Sequence, residues 1–271
     1  MEMQRVLFHE TIFGPIHSRR LGSSLGVNLS PNDGKVCTFD CLYCEAGYNA
    51  QGPGTTGLPT RQHVREELRR RLQELRASGK PLDVITFSGN GEPTVHPDFA
   101  GIIDDVIALR DEFFPDVKIS VLTNSTQLHR ADVVAALDKV DNNILKLDSA
   151  VESTMRALDR PTSPAFNVAR AVEQLGVFAE AAAARGEAPK AIIQTMFTRG
   201  THDGVAVDNT VDAEVDALID AYRKIRPAQV MIYSLDRQTP EHSLQKIATP
   251  ELAAIAARIT ARTGIPVTYP Q

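Results

Sequence analysis

Six short apolar runs, each followed by a helix-like stretch, limit the folds open to this chain more than any other feature. They are "SLGVNLS" (Ser24–Ser30), "DVITFSG" (Asp83–Gly89), "KISVLTN" (Lys118–Asn124), "NILKLDS" (Asn143–Ser149), "AIIQTMF" (Ala191–Phe197) and "QVMIYSL" (Gln229–Leu235). Runs of this length and composition read as strands buried on both faces. Between them apolar residues recur at helical spacing. Val64, Leu68, Leu72 and Leu75 form one stripe. Phe99, Ile102, Ile103, Val106 and Ile107 form another, with Asp98 as the candidate N-cap. Val211, Val215, Leu218, Ile219 and Tyr222 form a third, and Leu252, Ile255 and Ile259 a fourth that Pro250 opens. "AEAAAARGEAPK" (Ala179–Lys190) reads as the end of a helix and a turn. Strands alternating with helices predict an α/β fold with a parallel sheet wound in one direction. Eight units would close a full barrel of roughly 250 residues. Six predict a partial, open barrel, with a doubly wound open sheet as the alternative. Either fold sets functional groups at the C-terminal ends of the strands. No linker, repeat or low-complexity tract interrupts the 271 residues. The expectation is one domain over 1–271, with an N-terminal extension over about 1–23.

All three cysteines of the chain lie within "KVCTFDCLYC", as Cys37-x3-Cys41-x2-Cys44. The first residues show no apolar core of a signal peptide, and no apolar run reaches 18 residues, so the expected setting is cytoplasmic, with no membrane span. In a reduced compartment clustered thiols are metal ligands or catalysts more often than disulfides. Three thiolates can hold three corners of a [4Fe-4S] cluster and leave one iron open. Zinc is the competing reading, although structural zinc usually takes four Cys or His ligands. Incidental cysteines are the third.

The net charge of −5 gives no general attraction to nucleic acid. Arg61–Lys80 departs from this, with seven Lys/Arg against three Glu. It reads as a solvated helix face or as a phosphate-facing patch. Ser18-Arg19-Arg20 offers a second arginine pair suited to phosphate or carboxylate. The histidines are scattered without metal-ligand spacing and receive no catalytic role.

The cysteine spacing, with Tyr43 just before the last Cys, resembles the signature of the radical S-adenosylmethionine (SAM) superfamily. That resemblance implies a partial (β/α)6 TIM-like barrel and a [4Fe-4S] cluster on Cys37, Cys41 and Cys44. It implies SAM bound at the open iron and cleaved by one electron to methionine and a 5′-deoxyadenosyl radical, which abstracts hydrogen from a substrate. "TFSGNGEPTVHP" (Thr86–Pro97) resembles the superfamily's glycine-rich element, here Gly89-Asn90-Gly91-Glu92. Glycines let backbone approach a ligand closely, and a carboxylate and carbonyls suit an ammonium group. Glu92 reads either as a ligand or as a structural anchor, with the backbone of Gly91 as the other contact. By the same likeness Tyr43, Asn124, Lys146 and Asp148 are candidates for SAM binding, and Gln194, Thr195, Tyr233 and Ser234 could line the cavity. Without the likeness, Lys146 and Asp148 read equally as an internal salt bridge. Asp159-Arg160-Pro161 is a candidate cover for the substrate mouth.

Together with "GPIHSRRLGSSLGVNLSP" (Gly14–Pro31), "LKLD" and "VMIYSLDRQTPE" (Val230–Glu241), these stretches resemble the wyosine-synthase-like Fe–S oxidoreductase group, whose substrates are mostly unassigned. The likeness runs from about Phe13 to Ile255. True wyosine synthases carry further cysteines for a second cluster, and this chain has none, which argues against their reaction and against an auxiliary-cluster domain. Asn90 between the glycines argues against a glycyl-radical activating enzyme. The reading is a radical SAM enzyme acting on an unidentified substrate, with a nucleotide or tRNA as candidates. The resemblance implies flavodoxin or ferredoxin as the electron donor. The alternatives are an Fe–S or zinc binding module without SAM chemistry, and a protein-activating radical SAM enzyme.

Overall fold

The computed structural model describes residues 5–18, 22–187, 190–237 and 239–270. The six apolar runs are strands: β2 (Gly22–Val27), β3 (Val84–Phe87), β4 (Lys118–Thr123), β5 (Asn142–Lys146), β6 (Ala191–Met196) and β9 (Gln229–Tyr233). They pair in parallel in that order. The sheet gains an antiparallel edge strand, β1 (Ile12–Ser18), beside β2 and a short parallel one, β11 (Val267–Thr268), beside β9. Its two edges stay separate. The architecture is therefore the open, partial (β/α)6 barrel.

Seven α-helices cover the outside among the described residues: α1 (Arg61–Ser78), α2 (Phe99–Phe113), α3 (Ala131–Asp138), α4 (Glu152–Leu158), α5 (Val168–Ala184), α6 (Asp212–Ile225) and α7 (Thr249–Thr263). The predicted stripes face the sheet. α2 buries Phe99, Ile102, Ile103, Val106 and Leu109, each contributing about 1.5–3 kcal/mol of transfer free energy before entropy is subtracted. Thr60 caps α1 by accepting from the His63 N–H, and Gly79, left-handed at φ 63°, ends it. Pro250 opens α7 as expected. Two local expectations fail. Asp98 sits at the N-cap of α2 but its side chain makes no capping bond; its N–H instead donates to His96 Nδ1. Val211 is the N-cap of α6 and largely exposed, so it lies outside the buried stripe.

A second, three-stranded sheet orders β10 (Gln245–Lys246), β7 (Thr198–His202) and β8 (Val205–Asp208). It follows the C-terminal end of β6 and so stands beside the barrel mouth. Among the described residues no helix is long and apolar enough to cross a membrane.

Candidate active site

The long connection from β2 to α1 carries the cysteines. Its shape comes from residues far away in sequence. Phe39 packs with Met155, Phe166 and Ala171, and Leu42 with Leu158, Met196, Val207 and Leu244. These apolar anchors alternate with the thiols. The backbone is also pinned. The Asp40 N–H donates to the Asp159 and Arg160 carbonyls at 3.1 Å, the Leu42 N–H to Leu158 at 2.9 Å, and the Thr162 N–H to Thr38 at 2.9 Å. Asp159-Arg160-Pro161, expected as a cover for the substrate mouth, is instead a clamp on the cysteine loop, with Arg160 3.2 Å from the Asp40 carboxylate.

Cys37, Cys41 and Cys44 open on one cavity of about 610 Å³. Its walls come from the C-terminal ends of five of the parallel strands, facing the cysteine loop that follows β2: Gly89, Gly91 and Glu92 after β3, Asn124 after β4, Lys146 on β5, Gln194 on β6, and Tyr233 through Arg237 from β9 onward. Tyr43 and Ser234 also line it. Thr195 does not. It is fully buried, and its hydroxyl pairs with the Leu147 carbonyl and the Tyr222 hydroxyl, on the helix side.

The glycine-rich turn is held by its neighbours. Gly89 has φ +156°, and a Cβ there would meet Asn28 Oδ1 at 2.3 Å. Asn90 is buried; its Nδ2 donates to the Phe8 and Pro31 carbonyls at 2.9 Å each, and its Oδ1 accepts from the Phe8 N–H at 2.8 Å. A glycine could not tie the N-terminal segment down in this way. Gly91 pairs with Val36 of the cysteine loop, so close that an added Cβ would lie 1.9 Å from the Val36 carbonyl oxygen. Gly91→Ala is therefore expected to push the cysteine loop off the β3 turn, at about 1–3 kcal/mol. Thermal unfolding and iron retained per chain would both fall; unchanged values for both would mean that the contact yields freely.

Glu92 takes the anchoring role among its two expected roles. Its Oε1 accepts from the Thr94 N–H at 3.1 Å and the Thr123 hydroxyl at 2.6 Å, and its Oε2 from the Asn124 N–H at 2.6 Å. Burial pushes its pKa up, and these bonds pull the other way without cancelling it. The carboxylate joins the β3 turn to the end of β4 and so sets the position of Asn124. The Asn124 amide Nδ2 reaches toward Cys37 Sγ at 3.6 Å and donates to Thr38 Oγ1 at 2.9 Å.

Lys146 and Asp148 are an ion pair, and Asp148 lies behind Lys146 rather than on the cavity wall. The Tyr43 hydroxyl donates to the same Asp148 carboxylate, and the Lys146 ammonium sits 4.4 Å from the Tyr43 ring centre. A second carboxylate, Asp159, lies 3.3 Å from Lys146 and 3.8 Å from Cys41 Sγ. Burial alone would depress the Lys146 pKa; Asp148 and Asp159 outweigh it and hold the ammonium well above its ordinary value. Burial pushes Asp159 up to about 8, with Lys146 opposing and Asp148 adding to the rise. In the metal-free chain burial also pushes the Cys37 thiol up to about 12.

Sequence reasoning missed Asp159 as a neighbour of the thiols, and it missed Lys35, buried beside them. The local signal for Lys35 is a charged residue two positions before the first Cys. The arginine-rich stretch is mostly α1, and four of its arginines pair with carboxylates. Arg61 pairs with Asp105, Arg69 with Glu112, Arg70 with Glu67 and Glu74, and Arg71 with Glu10. That is the solvated-face reading. Arg19 and Arg20 lie outside the described residues.

Comparisons with known proteins bear on the family and the fold. The chain is 27% identical over 226 residues to a UPF0026 protein of Helicobacter pylori, covering 83% of this chain and 66% of that protein. It is 26% identical over 259 residues to a Brachyspira hyodysenteriae protein named GTPase Obg, covering 96% of this chain and 35% of that one. It therefore spans about a third to two thirds of these relatives. A radical SAM methyltransferase from Sphaerobacter thermophilus superposes with a TM-score of 0.65 at 17% identity, over 91% of this chain and 65% of that one. Streptococcus suis SuiB bound to S-adenosylmethionine superposes with 0.62 at 15%, over 90% and 50%. These likenesses show a shared fold. Residues 32–181, more than half of the chain, match the Radical SAM superfamily, and the chain belongs to that superfamily.

Proposed function

We propose that Cys37, Cys41 and Cys44 hold one [4Fe-4S] cluster and that the enzyme cleaves SAM reductively to act on a substrate entering the barrel mouth. The observation that carries this is the opening of all three of the chain's thiols on one cavity beside the Gly89–Glu92 turn and Asn124. The donor set fits the group. Three sulfurs with no fourth cysteine leave one corner of a cubane open.

Bound, the cluster supplies the electron that splits SAM into methionine and the 5′-deoxyadenosyl radical that takes hydrogen from substrate. The protein's part is to bind and orient. The turn carrying Gly89 and Gly91 presents main-chain groups to the SAM ammonium. Asn124 offers its amide at the cysteine end of the cavity. Lys146 presents a fixed ammonium to a carboxylate or ribose oxygen, with Asp148 holding it and Tyr43 in place. Glu92 keeps β3 and β4 in register. A flavodoxin or ferredoxin is the electron donor in this reading. The substrate is a small molecule, a nucleotide or a protruding part of a larger chain; four arginines of α1 are already paired with carboxylates, which weakens the case for tRNA.

The test is anaerobic reconstitution with iron and sulfide, then SAM and dithionite, with 5′-deoxyadenosine measured by chromatography. Product is expected with the wild type and only the protein-free background with Cys41→Ala. Zinc uptake in place of a cluster, or a cluster whose EPR signal ignores SAM, would overturn the proposal.

A further inference from the structure

Lys35 is a buried cation that the proposed chemistry leaves unused. Its side chain is 1% exposed. It stands two residues before Cys37, and its ammonium donates to the Gly47 carbonyl at 2.8 Å. Gly47 in turn donates its N–H to the Cys44 carbonyl at 2.9 Å. Lys35 thus closes the ends of the segment that carries the three thiols.

That closure does not require a charge, and lysine is almost never fully buried without a counter-charge. The carboxylate beside it is Asp40, at 3.5 Å. Asp40 is shared: Arg160 lies 3.2 Å from its other oxygen, and the Asn49 N–H donates to it at 2.6 Å. Two cations therefore face one carboxylate. Arg5, from the N-terminal segment, packs over Gly47 as well, and its Nη1 is buried without a hydrogen-bond partner. The loop that carries the three thiols therefore holds more positive charge than its one shared carboxylate balances.

We propose that Lys35 is a positioning residue for the iron–sulfur cluster: it clasps the cysteine loop and supplies a fixed positive charge that favours the reduced cluster. This rests on the reading that the three cysteines hold a cluster. Reduction adds one negative charge to that site, and a cation fixed nearby in a poorly screened interior stabilises the more negative state. Asp40 has the opposite sign and the opposite effect.

The test is an EPR-monitored redox titration of the reconstituted protein, with iron release to a chelator measured in parallel and far-UV circular dichroism to check folding. Lys35→Met removes both the charge and the donor. Its reduction equilibrium is expected to fall at least tenfold, a midpoint about 59 mV lower for one electron, with faster iron release. Lys35→Arg keeps the charge and should restore the midpoint. Asp40→Asn should move the midpoint up. If Lys35→Met releases iron faster at an unchanged midpoint, Lys35 is a clasp only and the electrostatic role is overturned. It is also overturned if Lys35→Met and Asp40→Asn shift the midpoint in the same direction. Should Lys35→Met not fold, the sign of the Asp40→Asn shift decides alone. A wild-type chain that assembles no cluster defeats the underlying reading, and this is seen before any variant is made.

Discussion

Glu92→Ala is expected to lower the free energy of unfolding by about 3–5 kcal/mol, because the main-chain N–H groups of Thr94 and Asn124 and the hydroxyls of Thr94 and Thr123 lose a buried acceptor. At about 2–4 °C per kcal/mol for a large domain, the melting temperature should drop on the order of 10 °C. Glu92→Gln should cost less, since one oxygen still accepts while the new amide faces the Asn124 N–H. The two variants also test the protonation of the site. The folded pKa of Glu92 is raised, chiefly by burial, so its stabilisation is full below the unfolded value of about 4.3 and declines as pH rises toward the folded value. The deficit of Glu92→Gln relative to wild type should therefore be largest in acid and shrink upward. Urea melts from pH 4 to 8 would show this. A deficit that grows with pH would mean that the carboxylate is ionised and stabilised by its donors.

Lys146→Met should destabilise by a similar amount for a different reason. Asp148 and Asp159 are 1% and 2% exposed and share this ammonium. Removing it leaves two carboxylates buried together, and breaking a buried ion pair from one side costs about 3–5 kcal/mol. The raised pKa of Asp159 sets the sign of the pH dependence. Carboxyl groups held above their unfolded values are tolerated below about pH 4 and become costly as pH rises past it. The variant should recover toward wild-type stability in acid and be weakest near neutrality. Urea denaturation of the metal-free protein at pH 4 and pH 7.5 measures it, and equal deficits at both would show that the carboxylates find other partners.

The parallel sheet was legible because its strands are buried on both faces and so appear as apolar runs. The remaining strands were not. β1 contains Gly14 and Pro15, which read as loop, and it exists because it pairs with β2 across a bulge. The β7–β8 hairpin did leave a signal: Asp203-Gly204 between two short strands, both with positive φ, is a two-residue hairpin turn. Its flanks alternate too weakly to stand out. In the site, the thiols and the glycine turn could be read because their spacing is local. For Glu92 and Asp148 the sequence offered the observed role only as one of two, and for Asp159 and Lys35 it offered none, because each depends on which distant groups share its burial. An acidic residue in a loop looks the same whether it meets water or three N–H and O–H donors.

On the proposed reading of the thiols as cluster ligands, the clamp on the cysteine loop has a consequence for when iron can bind. Cys41 meets Asp159, 118 positions further along the chain, and Thr38 is bonded by Thr162, 124 positions further along. During synthesis the three thiols leave the ribosome early, long before the segment that shapes their loop has been made. A nascent chain of 100 residues carries every cysteine and no site. On the proposed cluster reading, iron delivered at that stage would meet thiols whose loop is not yet shaped, so loading follows the docking of the segment around Asp159 and Thr162.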